Sequence, residues 1–275
     1  MNIYMDFKEY FITGSTSFIG NNLVKFLLLN NKNVTILTRN KKKISKYSWE
    51  KKVKIKLFNL NDKSYNFPKI NQKSILIHLA WDHLPNYNSD NHIQNALNSY
   101  RLICDANKKG IKDIFVSGTC FEYGYVNGPI NSNIECNPTN IYAFSKHMLH
   151  TKLIIYQNKN NINLKWGRIF YPYGEGQYSG IIASLDKAID NKEPYFNMSS
   201  GNQIKDFVEI KSVVKQIYKI IHKKNNGTFN ICSGKGTKVI DLVKKWKIFR
   251  KSKIKLNRGY YKVKKEEDNN FWGIK

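Results

Sequence analysis

The chain has 275 residues, of which 41% are hydrophobic and 13% aromatic, enough for a substantial core and unlike a disordered segment. Lys and Arg number 46 against 20 Asp and Glu, giving a formal charge of +26 and a pI of about 9.8. The lysines are spread from Lys8 to Lys275, and the densest runs (Lys41 to Lys43, Lys244 and Lys245, Lys262 to Lys265) are short. The charge therefore reads as solvated surface and substrate steering, not as sequence-specific nucleic-acid recognition.

The first half alternates short apolar runs with helical patterns. Tyr10 to Thr13 reads as a strand, followed by a glycine-bearing turn from Gly14 to Gly20 and a helix from Phe18 to Asn30. Strands follow at Val34 to Leu37, Val53 to Phe58 and the buried-type run Ser74 to Ala80. A helix carrying Ile93, Ala96, Leu97, Leu102 and Ile103 leads to a strand at Asp113 to Ser117. A further helix runs from Tyr142 to about Tyr156, and Leu164 to Arg168 starts the next strand. Repeated units of this kind predict an α/β fold, a Rossmann-type doubly wound parallel sheet covered on both faces. After Arg168 the pattern changes. Turn-rich stretches at Tyr171 to Gln177 and Asn197 to Asn202 separate helices, with another near Val239 to Phe249. The expected division is a dinucleotide-binding domain over 1–167 and a smaller substrate-binding lobe over 168–275.

The four cysteines, Cys104, Cys120, Cys136 and Cys232, are widely spaced and read as free thiols in a reducing cytoplasm. No His or Cys cluster has metal-ligand spacing, so no metal is expected. No apolar stretch approaches the ~20 residues of a membrane span, and Met1 to Lys8 lack a signal-peptide pattern. The expected location is the cytoplasm.

Tyr142 and Lys146 stand four residues apart, on one face of a helix. An ammonium in that position can draw a phenol down from its ordinary pKa of about 10, making it a usable acid or base for carbinol–ketone interconversion. The spacing alone is weak, since any solvated helix reproduces it. Its weight comes from Thr119, a hydroxyl upstream at a strand end, and from the turn Gly14 to Gly20 between the first strand and first helix. There Ser17, Phe18 and Ile19 offer a small side chain and backbone N–H groups to a pyrophosphate. Ser17 occupies the place of the usual middle glycine. Where an acid would hold a ribose 2′-hydroxyl, the end of the second strand carries Arg39, which favours NADP(H) over NAD(H). His78 reads as a packed core histidine.

In chain order, Thr13-Gly14 to Gly20, His78-Leu79-Ala80, Asn95 to Ala106, Ser117 to Gly124, Tyr142 to Lys146, Arg168 to Gln177 and Lys205-Asp206-Phe207 resemble the extended short-chain dehydrogenases/reductases. Within them the chain is similar to the epimerase/dehydratase group acting on nucleotide sugars, and most of all to the nucleotide-linked 4-keto-6-deoxyhexose reductases. The resemblance implies catalytic roles for Thr119, Tyr142 and Lys146, and cofactor contacts from Gly14, Ser17, Phe18, Ile19, Gly20, Arg39, Leu79, Ala80, Tyr142 and Lys146. It implies substrate contacts from Thr119, Tyr171 and Lys205, the last in place of an arginine that meets substrate phosphates. Its implied activity is NAD(P)H-dependent reduction of a dTDP- or CDP-linked 4-dehydro-6-deoxyhexose for surface polysaccharide or O-antigen, by a homodimer. A 4-epimerase with tightly held NAD and a degenerate nucleotide- or RNA-binding member are the alternatives. Dehydratases of the group carry Asp and Glu after the catalytic Thr; here stand Cys120 and Phe121. Asn59-Leu60 stands where an Asp commonly meets adenine, and the chain ends soon after Asn270 to Gly273, where relatives commonly continue. A short lobe that closes the substrate site less tightly is expected.

Overall fold

The structure, a computed structural model, describes residues 6–62, 65, 67, 70, 73–263 and 269–275. Residues 1–5 of the N-terminal segment and Lys264 and Lys265 of the last basic run lie outside the described residues.

Seven strands form the main sheet: β1 (Glu9–Thr13), β2 (Val34–Thr38), β3 (Lys54–Leu57), β4 (Ser74–His78), β5 (Asp113–Thr119), β6 (Asn163–Ile169) and β7 (Gly227–Ile231). Their order is β3-β2-β1-β4-β5-β6-β7. The β3–β2, β2–β1, β1–β4 and β4–β5 ladders are parallel, with Ile12 opposite both Ile36 and Ile77. β1 and β4 are buried along their whole length, as strands covered on both faces must be. The chain winds outward one way through β2 and β3 and then returns to start β4 on the other side of β1. That reversal leaves a crevice at the carboxyl ends of β1 and β4, where open α/β sheets take ligands.

The helices are α1 (Phe18–Leu29), α2 (Asn91–Lys108), α3 (Ile141–Asn160), α4 (Ile181–Asp190), α5 (Ile210–Ile221) and α6 (Val239–Phe249). α1 starts where Ser17, in extended conformation, turns its hydroxyl onto the Gly20 N–H. α3 starts in the same way, with the Asn140 side chain accepting from Ala143 N–H. A side-chain oxygen at this position satisfies a donor the helix itself leaves over.

The chain divides into two compact units, residues 1–124, 136–168 and 214–229, and residues 125–135, 169–213 and 230–275. The expected single cut near 167/168 is thus only part of the division: 125–135 belongs with the second unit and 214–229 with the first. The sequence pattern hides this, because both crossings fall in or beside elements that look continuous. The first unit packs Leu76, Ile114, Val116, Leu149, Leu153 and Trp166 in one core cluster. The second packs Leu185, Phe196, Met198, Ile240, Val243 and Trp246 in another. Among the described residues, no helix is long and apolar enough to cross a membrane, and none of the four cysteines forms a disulfide.

Candidate active site

The turn after β1 is set by two glycines. Gly14 has φ +72°, and a Cβ there would lie 2.6 Å from the Ala80 nitrogen. A Cβ on Gly20 would lie 2.1 Å from the Gly14 carbonyl oxygen. The Gly14 contact brings Leu79 and Ala80, just past β4, against the turn. Ser17 accepts from Gly20 N–H, so its own proton remains to be donated. The first-turn N–H groups of Phe18 and Ile19 have no intrahelical acceptor, and no acidic side chain stands in the first turn of α1. This end of α1 therefore presents donors and an uncompensated positive dipole end, a fit to a pyrophosphate.

Two strands away, β5 delivers Thr119. Its hydroxyl caps the short turn Cys120–Tyr123 by accepting from Phe121 N–H, and it acts on the Tyr142 phenol by lowering its pKa. α3 carries Tyr142 and, one turn on, Lys146, both buried. The Lys146 ammonium donates to the Ser117 carbonyl at 2.7 Å and lies 3.8 Å from the centre of the Trp81 ring. Tyr142, Trp81, Tyr87 and His92 pack ring against ring. Thr119, Tyr142 and Lys146 are thus brought together as expected.

The electrostatics correct one expectation. Burial raises the Tyr142 phenol above its ordinary value, against a smaller opposing pull from the Thr119 hydroxyl. Lys146 itself is driven down to about 7 by burial, against an opposing pull from Glu122. With both groups out of water, desolvation outweighs the helical neighbour effect.

Glu122 is the residue the sequence reading passed over. Fully buried, it accepts from Thr119 N–H at 2.8 Å, from the Trp166 indole N–H at 3.1 Å and from Arg168 Nε at 3.0 Å. Gly118 leaves room for it, since a Cβ there would lie 2.2 Å from Trp166 Nε1. The signal was present as Thr119-x-x-Glu122, a capping box that locks Thr119 in place. Glu122, His147 and His150 also bring ligand atoms within 4.8 Å of one another, a grouping the spacing did not reveal. With the Glu122 oxygens engaged by three donors, one of them a guanidinium, the trio reads as a polar anchor and not as a metal centre. His78 is a packed core residue as expected, held by Thr13 Oγ1 at 2.8 Å and Ser99 Oγ at 2.9 Å.

Arg39 lies just past β2, where the pattern places it, but its guanidinium is engaged: Nη1 and Nη2 donate to the two Asp82 oxygens at 2.6 and 3.1 Å. Asn59 and Leu60 follow β3; neither supplies the carboxylate usual at that place.

Tyr171 and Lys205 belong to the second unit. Lys205 is buried, donates to the Asn269 carbonyl at 2.7 Å and lies over the rings of Phe271 and Tyr171. A plain surface lysine is excluded. Beside it, the buried Asp206 carboxylate accepts from the N–H groups of Ser233, Gly234 and Gly273, tying the end of the chain to the turn after β7.

A family model described as "NAD dependent epimerase/dehydratase family" matches residues 10–232. The dTDP-6-deoxy-L-talose 4-dehydrogenase (NAD(+)) of Aggregatibacter actinomycetemcomitans is 31% identical over 267 residues, 96% of this chain and 98% of that protein. Among solved structures, an NAD-dependent NDP-hexosamine 5,6-dehydratase of tunicamycin biosynthesis is 20% identical, with a TM-score of 0.81 over 97% of this chain and 88% of the other. A UDP-glucose 4-epimerase of Thermotoga maritima, solved with UDP-glucose, is 19% identical, with a TM-score of 0.79 over 97% and 89%. MoeE5, solved with UDP-glucuronic acid and NAD, also has a TM-score of 0.79, at 20% identity over 97% and 89%. Those three likenesses concern the fold. With the family model covering most of the sheet and the relative matching nearly end to end, the chain belongs to the NAD dependent epimerase/dehydratase family.

Proposed function

We propose that the protein is a nicotinamide-dependent oxidoreductase that reduces the 4-ketone of a nucleotide-linked 6-deoxyhexose. The observation that carries this reading is the buried Tyr142 phenol, acted on by the Thr119 hydroxyl, with Lys146 one helical turn away. A phenol whose pKa is raised stays protonated at neutral pH, which suits the acid of a ketone reduction better than the base of an oxidation. The name of the relative from Aggregatibacter describes removal of hydride from a C4 carbinol; reduction of the 4-ketone is the reverse of that step. Cys120 and Phe121 offer no carboxylates for dehydration.

The dinucleotide, when bound, supplies the hydride. Gly14, Ser17, Gly20 and the N–H groups of Phe18 and Ile19 would hold its pyrophosphate, with Leu79 and Ala80 along the crevice wall. Lys146 would hold the nicotinamide ribose. Thr119 orients the sugar O4, and Tyr142 gives that oxygen its phenolic proton as the carbonyl carbon becomes a carbinol. Tyr171 and Lys205 are the further proposed substrate contacts, Lys205 by redirecting an ammonium N–H from Asn269 to a phosphate oxygen. The product, a nucleotide-linked 6-deoxyhexose, is proposed as a sugar donor for surface polysaccharide. The NADP(H) preference expected from Arg39 requires a guanidinium free for the 2′-phosphate, and this one is engaged by Asp82.

A 4-epimerase uses the same three residues, and the fold is shared with a solved epimerase. Incubating the protein with reduced coenzyme and a panel of dTDP- and CDP-linked 4-keto-6-deoxyhexoses separates the two. Stoichiometric loss of nicotinamide absorbance with a product two hydrogens heavier is the expected result. Interconversion of 4-epimers without net coenzyme consumption replaces the reductase reading by the epimerase one.

A further inference from the structure

We propose that Asp82 sets the coenzyme preference and turns the site toward NAD(H). The proposal rests on the dinucleotide reading of the crevice and reverses what Arg39 alone suggests. β2 and β4 flank β1. A ligand whose pyrophosphate lies at the β1–α1 turn extends its adenosine half toward the end of β2. Arg39 stands there, yet both its terminal nitrogens are committed to one carboxylate, that of Asp82 in the segment after β4. The segment is itself fixed: Gly14 packs on Ala80, and the Asn95 side chain on α2 donates to the Asp82 carbonyl at 3.2 Å. The fork of Arg39 holds the carboxylate in one orientation. Asp82 also forms part of the wall of a cavity of about 320 Å³, otherwise lined by side chains such as Asn61, Gln94, Asn95, Asn98 and Arg101. Asp82 therefore borders a recess and not only bulk solvent.

The two coenzymes differ at one oxygen. A ribose 2′-hydroxyl can donate to a carboxylate, and Asp82 supplies the acid that the end of β2 lacks. A 2′-phosphate carries a charge of about −1.5 to −2 and only acceptor oxygens. To reach Arg39 it must displace Asp82 or lie beside it, charge against like charge. Arg39 thus acts on coenzyme choice as the group that positions Asp82.

The test is equilibrium titration of the full chain with NADH and NADPH, by nicotinamide fluorescence or calorimetry. The expected result is tighter binding of NADH by at least about tenfold, the worth of one charge-assisted hydrogen bond. Asp82→Asn should weaken NADH and strengthen NADPH, moving the ratio by about tenfold or more, because it frees the guanidinium. Asp82→Glu should keep the wild-type preference. If wild-type protein prefers NADPH, or if Asp82→Asn weakens both coenzymes equally, Asp82 is a structural residue and the proposal is wrong. Binding of neither coenzyme overturns the dinucleotide reading of the crevice, and this inference with it; a shifted ratio without turnover of any 4-keto sugar supports the inference while refuting the substrate.

Discussion

At Tyr142 two effects compete: burial, which opposes the phenolate, and the Thr119 hydroxyl, which favours it. Burial wins, so the phenol is an acid in waiting. Tyr142→Phe removes the proton and nothing else of size, and turnover should fall by ~10²–10⁴-fold while coenzyme affinity holds. Thr119→Val keeps the shape but removes the orienting hydroxyl and its cap on Phe121 N–H, for a loss of ~10²-fold in turnover. Lys146→Ala removes the contact to the Ser117 carbonyl as well as the proposed ribose contact, so kcat falls and coenzyme Kd rises together. Steady-state rates on a verified substrate, set beside coenzyme titrations, check all three. Near-full activity in Tyr142→Phe assigns the acid to another group.

At the scale of elements, periodicity made the βα alternation legible, and the expected strands and helices of the first unit are all present. The Gly14 to Gly20 turn was legible because a strand, a turn and a helix follow in order, and only glycine fits two of its positions. What distant residues do to one another was not legible. The Asp82–Arg39 pair joins residues 43 positions apart, Glu122 meets Arg168 across 46, and Lys205 meets Asn269 across 64; no spacing rule spans such gaps. Ser17 shows the same limit closer in. As a sequence departure it stands in for a glycine; in the fold it caps α1. Ser17→Ala should therefore cost about 1 kcal/mol of stability and weaken coenzyme binding, while Ser17→Gly costs only a few tenths and keeps the binding. Denaturant melts and coenzyme titrations of the two variants decide this. No loss in either variant would mean that the cap contributes nothing.

For the whole molecule, the buried bases point one way. His78 and His150 are held down to about 3 by burial, from an unfolded value of 6.5. Between those values the unfolded chain binds the extra protons, so stability is lost as pH falls from about 6.5. Lys146, near 7 when folded and 10.5 when unfolded, continues the trend: stability rises with pH from about 7 to about 10.5. Lys165, fully buried and with no hydrogen-bond partner for its ammonium among the described residues, is lowered by burial and adds the same slope. Relief of the +26 surface charge at alkaline pH acts in the same sense. The opposing groups are buried tyrosines. Tyr10, Tyr123 and Tyr142 are raised above 10.0, so their contribution is lost only above that value, as the unfolded chain ionises first. The melting temperature should climb from acid through neutral pH and peak between about 9 and about 10, well above the usual range of about 5 to 8. Scanning calorimetry at fixed ionic strength tests the profile. Lys165→Met should then raise the neutral-pH melting temperature and flatten the alkaline limb, since an unpaired buried ammonium is replaced by an apolar chain of similar length. A maximum near pH 6, or a Lys165→Met protein that melts lower at every pH, would show that these lysines reach water or a partner and carry no penalty.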